Sequence, residues 1–233
     1  VKQPLAYTPL AIERVRYVGE PIAVVVASDR YVAEDALELI QVQYEPLPAI
    51  ASIEASLAEH APLLHEAVGS NVVSERHFSY GDAPKGANFR RISTTVHYPR
   101  NSCAPMECGV VLADYLGADE GYEVLSNFMG PFSLHSVMAM ALKIPSNKLR
   151  HKVPTDSGGS FGVKQSVFSY VVLMCLASRK AGAPVKWVED RLEHLSAATS
   201  ATARLTTLSA DVQEDGKILA LHWDQADDVG AYL

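Results

Sequence analysis

The stretch LRHKVPTDSGGSFGVKQSVFSYVVLMCLASRKAG, residues 149–182, decides the fold. It reads as a short strand over Leu149–Pro154, a glycine-rich turn over Thr155–Lys164, and a long helix that stops at Gly182. A helix entered directly from glycines presents unpaired backbone N–H groups at its positive end, a setting that suits an anionic or oxo group. The residues at issue are Asp156, Gly158, Gly159, Phe161, Gly162 and Lys164. Taken alone, the turn fits a plain tight connection as well as a cradle, because it matches neither GxGxxG nor GxxxxGK[ST].

Upstream of the turn, strand-like runs ERHFSY (75–80), ISTTVHY (92–98), GVVLADY (109–115) and YEVLSNF (122–128) are separated by Gly, Asp and Pro. A helix is predicted over Pro131–Lys143, where Phe132, His135, Met138 and Leu142 share a face. Downstream come PVKWVEDRLEH, a β-like RLTTLSADV, the turn EDGK at 214–217 and the run ILALHWDQADDVGAYL. The front of the chain has its own grammar: a buried strand IAVVVAS (22–28), a helix DRYVAEDALELI capped by Ser28 or Asp29, and an amphipathic strand QVQYEPLPAI ended by Pro46 and Pro48. Residues 51–75 are rich in Ala, Ser, His and Pro without sustained periodicity and read as a surface linker. No repeat of 20 to 50 residues is visible.

Composition narrows the functional classes. At 233 residues, 48% hydrophobic and 20% charged, the chain can bury one or two cores. Its net charge of -7, with acidic and basic residues interspersed, offers no basic stripe for nucleic acid. No apolar run approaches the roughly 18 residues of a membrane-spanning helix, and the run Ile22 to Ala27 has strand length. Three cysteines, Cys103, Cys108 and Cys175, without a CxxC pair disfavour a disulfide framework and a zinc site, so a reducing cytoplasm is expected. The opening VKQPLAYTPL has neither an initiator Met nor a signal-peptide pattern, and the native start is expected to be removed or to lie upstream.

Two further motifs draw notice. Glu107 sits in the otherwise apolar APMECG at Ala104–Gly109; its simpler reading is a carboxylate that accepts backbone N–H groups or pairs with an arginine, against a direct catalytic role. The cluster Glu189, Asp190, Arg191, Glu193 and His194 reads first as a network bracing a loop. The histidines form no HxH or HxxxH pair, which gives little support to a metal site made by protein alone.

Together the pieces resemble a known family. VRYVGEPIAVVVASDRYVAEDALELIQVQYEPLPAI is similar to the α/β hammerhead domain of molybdenum hydroxylase large subunits. APMECGVVLADY, SNFMGPF, DSGGSFGVK, PVKWVEDRLEH and DGKILALHWDQADDVGAY then resemble, in order, the first half of the family's molybdopterin-binding domain. The family comprises xanthine dehydrogenases, aldehyde oxidases and carbon monoxide dehydrogenases, and the likeness is closest to the last branch. It implies an α+β fold: a partial hammerhead at 1–60, a linker at 61–75 and the first, incomplete part of the molybdopterin domain at 76–233.

The resemblance also implies a chemistry. The family hydroxylates an electron-poor carbon of an aldehyde, N-heterocycle or carbon monoxide-type substrate with water-derived oxygen. Its cofactor is a molybdopterin dinucleotide with molybdenum, here expected in the cytosine form, and electrons leave through iron–sulfur clusters and FAD on partner subunits. By the same resemblance Gly158, Gly159, Ser160, Phe161 and Gly162 contact the cofactor, Phe161 and Met129 lie near the molybdenum, and Gln165 faces substrate. The family carries a Gln where Met129 stands; either the site is altered or the alignment slips, since Asn127 is nearby. A neutral Gln165 in place of the glutamate of purine-hydroxylating members argues against xanthine. The family's general-base glutamate falls outside this sequence, so no catalytic residue is assigned and the isolated polypeptide is expected to be inactive and to self-associate. A non-catalytic scaffold or assembly subunit is the alternative, motivated by Met129.

Overall fold

The computed structural model describes residues 8–82 and 88–231. In chain order the elements are α1 (Arg30–Glu38), α2 (Ile53–Leu57), β1 (Arg90–Tyr98), β2 (Val110–Leu116), β3 (Gly121–Ser126), α3 (His135–Ala141), β4 (Leu149–Lys152), α4 (Val167–Ala181), β5 (Val185–Val188), α5 (Arg191–Ala197), β6 (Ala203–Val212) and β7 (Ile218–Asp228). The fold is mixed helix and sheet. It divides into two compact units, one made of 8–45 with 102–200 and the other of 46–101 with 201–231 among the described residues.

The unit that carries the glycine turn is built on a four-stranded sheet of order β4-β3-β2-β5, antiparallel except for the β3–β4 pair. A parallel neighbour cannot be reached by a tight hairpin, and the crossover from β3 to β4 contains α3. Alternation in the strands sends Val111 and Ala113 of β2, and Tyr122 and Val124 of β3, into the core. There they join Met138, Leu149, Val171, Val172, Cys175 and Val185. Each such fully buried side chain contributes about 1.5–3 kcal/mol relative to exposure. α4 is buried over most of its circumference, so its apolar run VFSYVVLMCLA serves core packing on several sides. It ends as expected at Gly182, which adopts a left-handed φ of 66° while its N–H bonds to the Ser178 carbonyl at 2.9 Å.

The second unit is a three-stranded antiparallel sheet of order β1-β6-β7. Its strands pair over nearly their full length, from Arg90 opposite Val212 to Tyr98 opposite Arg204. Cross-strand hydroxyls meet at Ser93–Ser209 (2.7 Å) and Thr95–Thr207 (3.1 Å). A bulge at Asp211/Val212 accompanies a two-point contact of Arg91 with the Asp211 carboxylate at 2.7 and 2.8 Å.

Three sequence expectations differ from the structure. Residues 22–27 and 41–50 belong to no strand, and Ile22, Val24 and Val26 stay partly exposed. The same holds for 75–80. A strand exists only by pairing, and none of these segments finds a ladder partner among the described residues. α1 forms as expected, capped by the Asp29 side chain on Val32 N, yet it buries none of its own residues. α3 begins four residues later than expected because Pro131–Leu134 close a turn in which the Ser133 hydroxyl donates to the Gly130 carbonyl at 2.8 Å.

Candidate cofactor-binding site

The glycine turn lies between β4 and α4, at one end of the sheet, and is followed by a single 3-10 turn over Val163–Ser166 before α4 starts. Gly159 and Gly162 adopt φ of 91° and 96°, conformations that a side chain resists. Phe161, between them, is itself left-handed at φ 51° although it carries a bulky ring, and it is 74% exposed. A non-glycine aromatic held there stores about 1–2 kcal/mol of strain. Such strain persists where the surroundings fix it and clusters at ligand sites. The ring folds back over Gly159, where a Cβ would lie 3.2 Å from it.

The turn leaves several of its backbone donors uncommitted. Among the described residues none accepts a hydrogen bond from the N–H of Gly159, Ser160, Phe161 or Gly162. The Ser160 hydroxyl and carbonyl are turned to the local chain, accepting from Lys164 N at 3.3 Å and Val163 N at 3.2 Å. Gln165 projects from the 3-10 turn and is exposed. Met129, in the segment leaving β3, is brought against this region by a hydrogen bond from its N–H to the Lys164 carbonyl at 3.4 Å, and its side chain is 39% exposed. The residues singled out from sequence around the turn are thus gathered at one place.

Two residues organise that place: Lys164, named from sequence as part of the turn, and Glu107, read from sequence first as a paired carboxylate. Lys164 is buried, 2% exposed, and its ammonium donates to Glu107 Oε2. The same oxygen accepts from Asn127 Nδ2 at 2.9 Å and Gly158 N at 3.1 Å. The hydrogen bond from Lys164 above all, joined by those from Asn127 and Gly158, holds the Glu107 carboxyl below the usual range against the opposing effect of burial. The simpler sequence reading of Glu107 was therefore right in kind, with a lysine in place of the arginine. Sequence had one usable signal for this: an acidic residue in an apolar run requires a partner.

The WVEDRLEH cluster braces the segment that carries Glu107. The Arg191 guanidinium donates to the carbonyls of Pro105 (2.8 Å) and Met106 (2.9 Å). Glu189, 8% exposed, accepts from Gly109 N at 2.6 Å and contacts His194 Nδ1 at 3.0 Å. Asp190 caps α5 in a reciprocal box with Glu193. Cys108, Glu189 and His194 bring potential ligand atoms within 4.8 Å of one another, a grouping that histidine spacing alone did not reveal. Its carboxylate oxygen is already engaged by Gly109 and His194, and burial pushes the Cys108 thiol up, so the group acts as a hydrogen-bonded brace.

A left-handed glycine turn, four backbone N–H groups without an acceptor among the described residues, and a buried ammonium paired with a half-buried carboxylate meet at one place. Comparison with known proteins identifies the domain that carries them. Residues 64–233 match the molybdopterin cofactor-binding domain, and residues 2–48 match the a/b hammerhead domain of aldehyde oxidase and xanthine dehydrogenase. The chain belongs to the molybdenum hydroxylase large-subunit family that these two domains define. It is 35% identical to the carbon monoxide dehydrogenase large chain of Hydrogenophaga pseudoflava, over 96% of this chain and 30% of that protein. It is 32% identical to the nicotine 6-hydroxylase large subunit of Paenarthrobacter nicotinovorans, over 96% and 27%. The reconstituted carbon monoxide dehydrogenase of Oligotropha carboxidovorans superposes with a TM-score of 0.81 at 31% identity, over 93% of this chain and 29% of that one. The chain spans less than a third of the length of these relatives. No helix among the described residues is long and apolar enough to cross a membrane.

Proposed function

We propose that this chain is part of the cofactor-holding subunit of a molybdenum hydroxylase. The observation that carries the reading is the Gly158–Gly162 turn, whose N–H groups from Gly159 to Gly162 have no acceptor among the described residues and whose Phe161 is held in a strained, exposed conformation. The donor set fits the group: an oxo or anionic ligand is what a run of uncommitted amides at the entrance to a helix binds. Gly158, Gly159, Ser160, Phe161 and Gly162 would hold the cofactor, a molybdopterin dinucleotide in its cytosine form. Phe161 and Met129 would flank the molybdenum and Gln165 would face the substrate. Bound there, the cofactor supplies hydroxylation with water-derived oxygen. The chain's own contribution is to bind and orient it.

The carbon monoxide dehydrogenase and nicotine 6-hydroxylase likenesses support an electron-poor carbon as the reacting centre. The neutral Gln165 stands where purine-hydroxylating members carry a glutamate, which argues against xanthine as the substrate. The electrons would pass to an iron–sulfur subunit and an FAD subunit, with the remainder of the large subunit completing the site. The cytoplasm, a reducing compartment, suits the unpaired Cys103, Cys108 and Cys175. A second reading, a non-catalytic scaffold, is favoured by Met129 alone, since a thioether cannot donate the hydrogen bond an amide could.

Molybdenum and released pterin, measured on the full-length subunit purified with its native partners, test the proposal. Near-stoichiometric amounts of both support the hydroxylase reading. Their joint absence refutes it and leaves the scaffold.

A further inference from the structure

Glu107 Oε2 sits where three segments converge. It receives the N–H of Gly158, the first glycine of the turn; the ammonium of Lys164, two residues past its last glycine; and the Nδ2 of Asn127 at the end of β3. Asn127 is fixed in its turn, since its Oδ1 accepts from Val110 N at 2.9 Å and its Nδ2 also donates to the Cys108 carbonyl at 2.8 Å. The fit beneath the turn is close: a Cβ on Gly158 would lie 2.6 Å from the Glu107 Cβ. Between the two anchored positions, 158 and 164, lie the four N–H groups without an acceptor among the described residues.

We infer that Glu107 is a positioning residue: with Lys164 as its counter-ion, it clamps both ends of the glycine turn from below and so sets the direction in which the amides of Gly159–Gly162 point. The inference rests on the reading of the turn as the cofactor site. The physical argument is one of geometry and charge. A single carboxylate oxygen accepting three donors has little orientational freedom, and two of those donors belong to the turn and its immediate continuation. The ammonium of Lys164 is buried at 2% exposure and has the carboxylate as its compensating charge, so the pair cannot open without leaving a buried cation alone. Glu107 touches neither metal nor substrate in this account; it acts through the backbone of Gly158.

A merely structural ion pair and a positioning clamp respond differently to replacement of both partners. Exchanging a buried pair for apolar side chains of similar length commonly preserves stability. It cannot restore the Gly158 N–H···O bond. The test therefore compares the native full-length subunit, in its complex, with the variants Glu107→Gln and Glu107→Met/Lys164→Met. Thermal unfolding, molybdenum and pterin content, and amide hydrogen exchange over residues 158–164 are measured on each. The double variant is expected to melt within a few degrees of the native protein, to lose at least ten-fold in molybdenum and pterin, and to exchange at Gly158 at least ten-fold faster. The single Glu107→Gln variant is expected to lose metal and pterin in the same direction, with a larger drop in melting temperature because Lys164 is left without its counter-ion. A double variant that folds and loads as the native protein does overturns the inference, as does unchanged exchange at Gly158. Native protein without molybdenum or pterin overturns the underlying cofactor reading instead, and the exchange comparison then decides the clamp alone.

Discussion

His151 makes the fold of the cofactor unit sensitive to acid. It lies on β4 with its Nε2 2.7 Å from the Ser126 hydroxyl and its ring stacked on Phe128 at 5.7 Å between centroids. Its Nδ1 is buried with no partner among the described residues. Burial first, and then the neighbouring His135, lower its pKa from 6.5 to about 4. The folded state thus binds fewer protons than the unfolded one between these values. The stabilisation is fully present above pH 6.5 and is lost as pH falls through 6.5 towards 4. A fall of that size corresponds to roughly 3 kcal/mol at 1.36 kcal/mol per pH unit, and partial exposure of the ring reduces it through solvent screening to about 2 kcal/mol. His151→Gln keeps a polar group for Ser126 and cannot ionise. Urea unfolding of both proteins from pH 7 to 4.5 should therefore show the variant gaining about 2 kcal/mol on the native protein over that range. A stability difference that stays flat across it would refute the argument that the imidazole is held neutral.

Phe161→Gly should relieve the left-handed strain and raise the unfolding free energy by roughly 1 kcal/mol, since the ring is largely exposed and little burial is lost; thermal unfolding checks it. The same change should weaken cofactor retention, because the site then loses a preset conformation. Asp190→Ala removes one arm of the α5 capping box and should cost about 1 kcal/mol, with faster amide exchange at Glu193, whose N–H bonds to Asp190 Oδ1 at 2.7 Å.

What could be read in the sequence was local. The run from Leu149 to Gly182 carries its own punctuation: a strand, glycines where φ must be positive, an apolar helix and a glycine stop, each dictated by neighbours a few residues away. The bracing role of WVEDRLEH was legible for a similar reason, as charges that dense beside a helix start favour capping and loop contacts. What could not be read was non-local. Glu107 and Lys164 are 57 residues apart, and nothing near either in the chain names the other as its partner. The run at 22–27 has every local mark of a strand in its sequence, yet pairing is a property of two segments, and the described chain supplies only one.

The site's materials explain why the family was readable while the substrate is not. A cradle of backbone N–H groups leaves a trace in sequence only through the glycines that shape it, and Gly158, Gly159 and Gly162 are the residues the turn's geometry requires. On the proposed reading backbone amides would discriminate weakly among substrates, because a run of N–H groups accepts any oxo or anionic ligand. On the proposed reading Gln165, exposed beside the turn, would face the substrate, and Met129, 39% exposed, would flank the molybdenum. Such positions carry few packing constraints, so they are free to vary with substrate. The clamp, half-buried Glu107 with buried Lys164 and Asn127, is bound by charge compensation and close contact and has no such freedom. Substitution at the rim should therefore change which molecule reacts, whereas substitution at the clamp should change whether the cofactor is held at all.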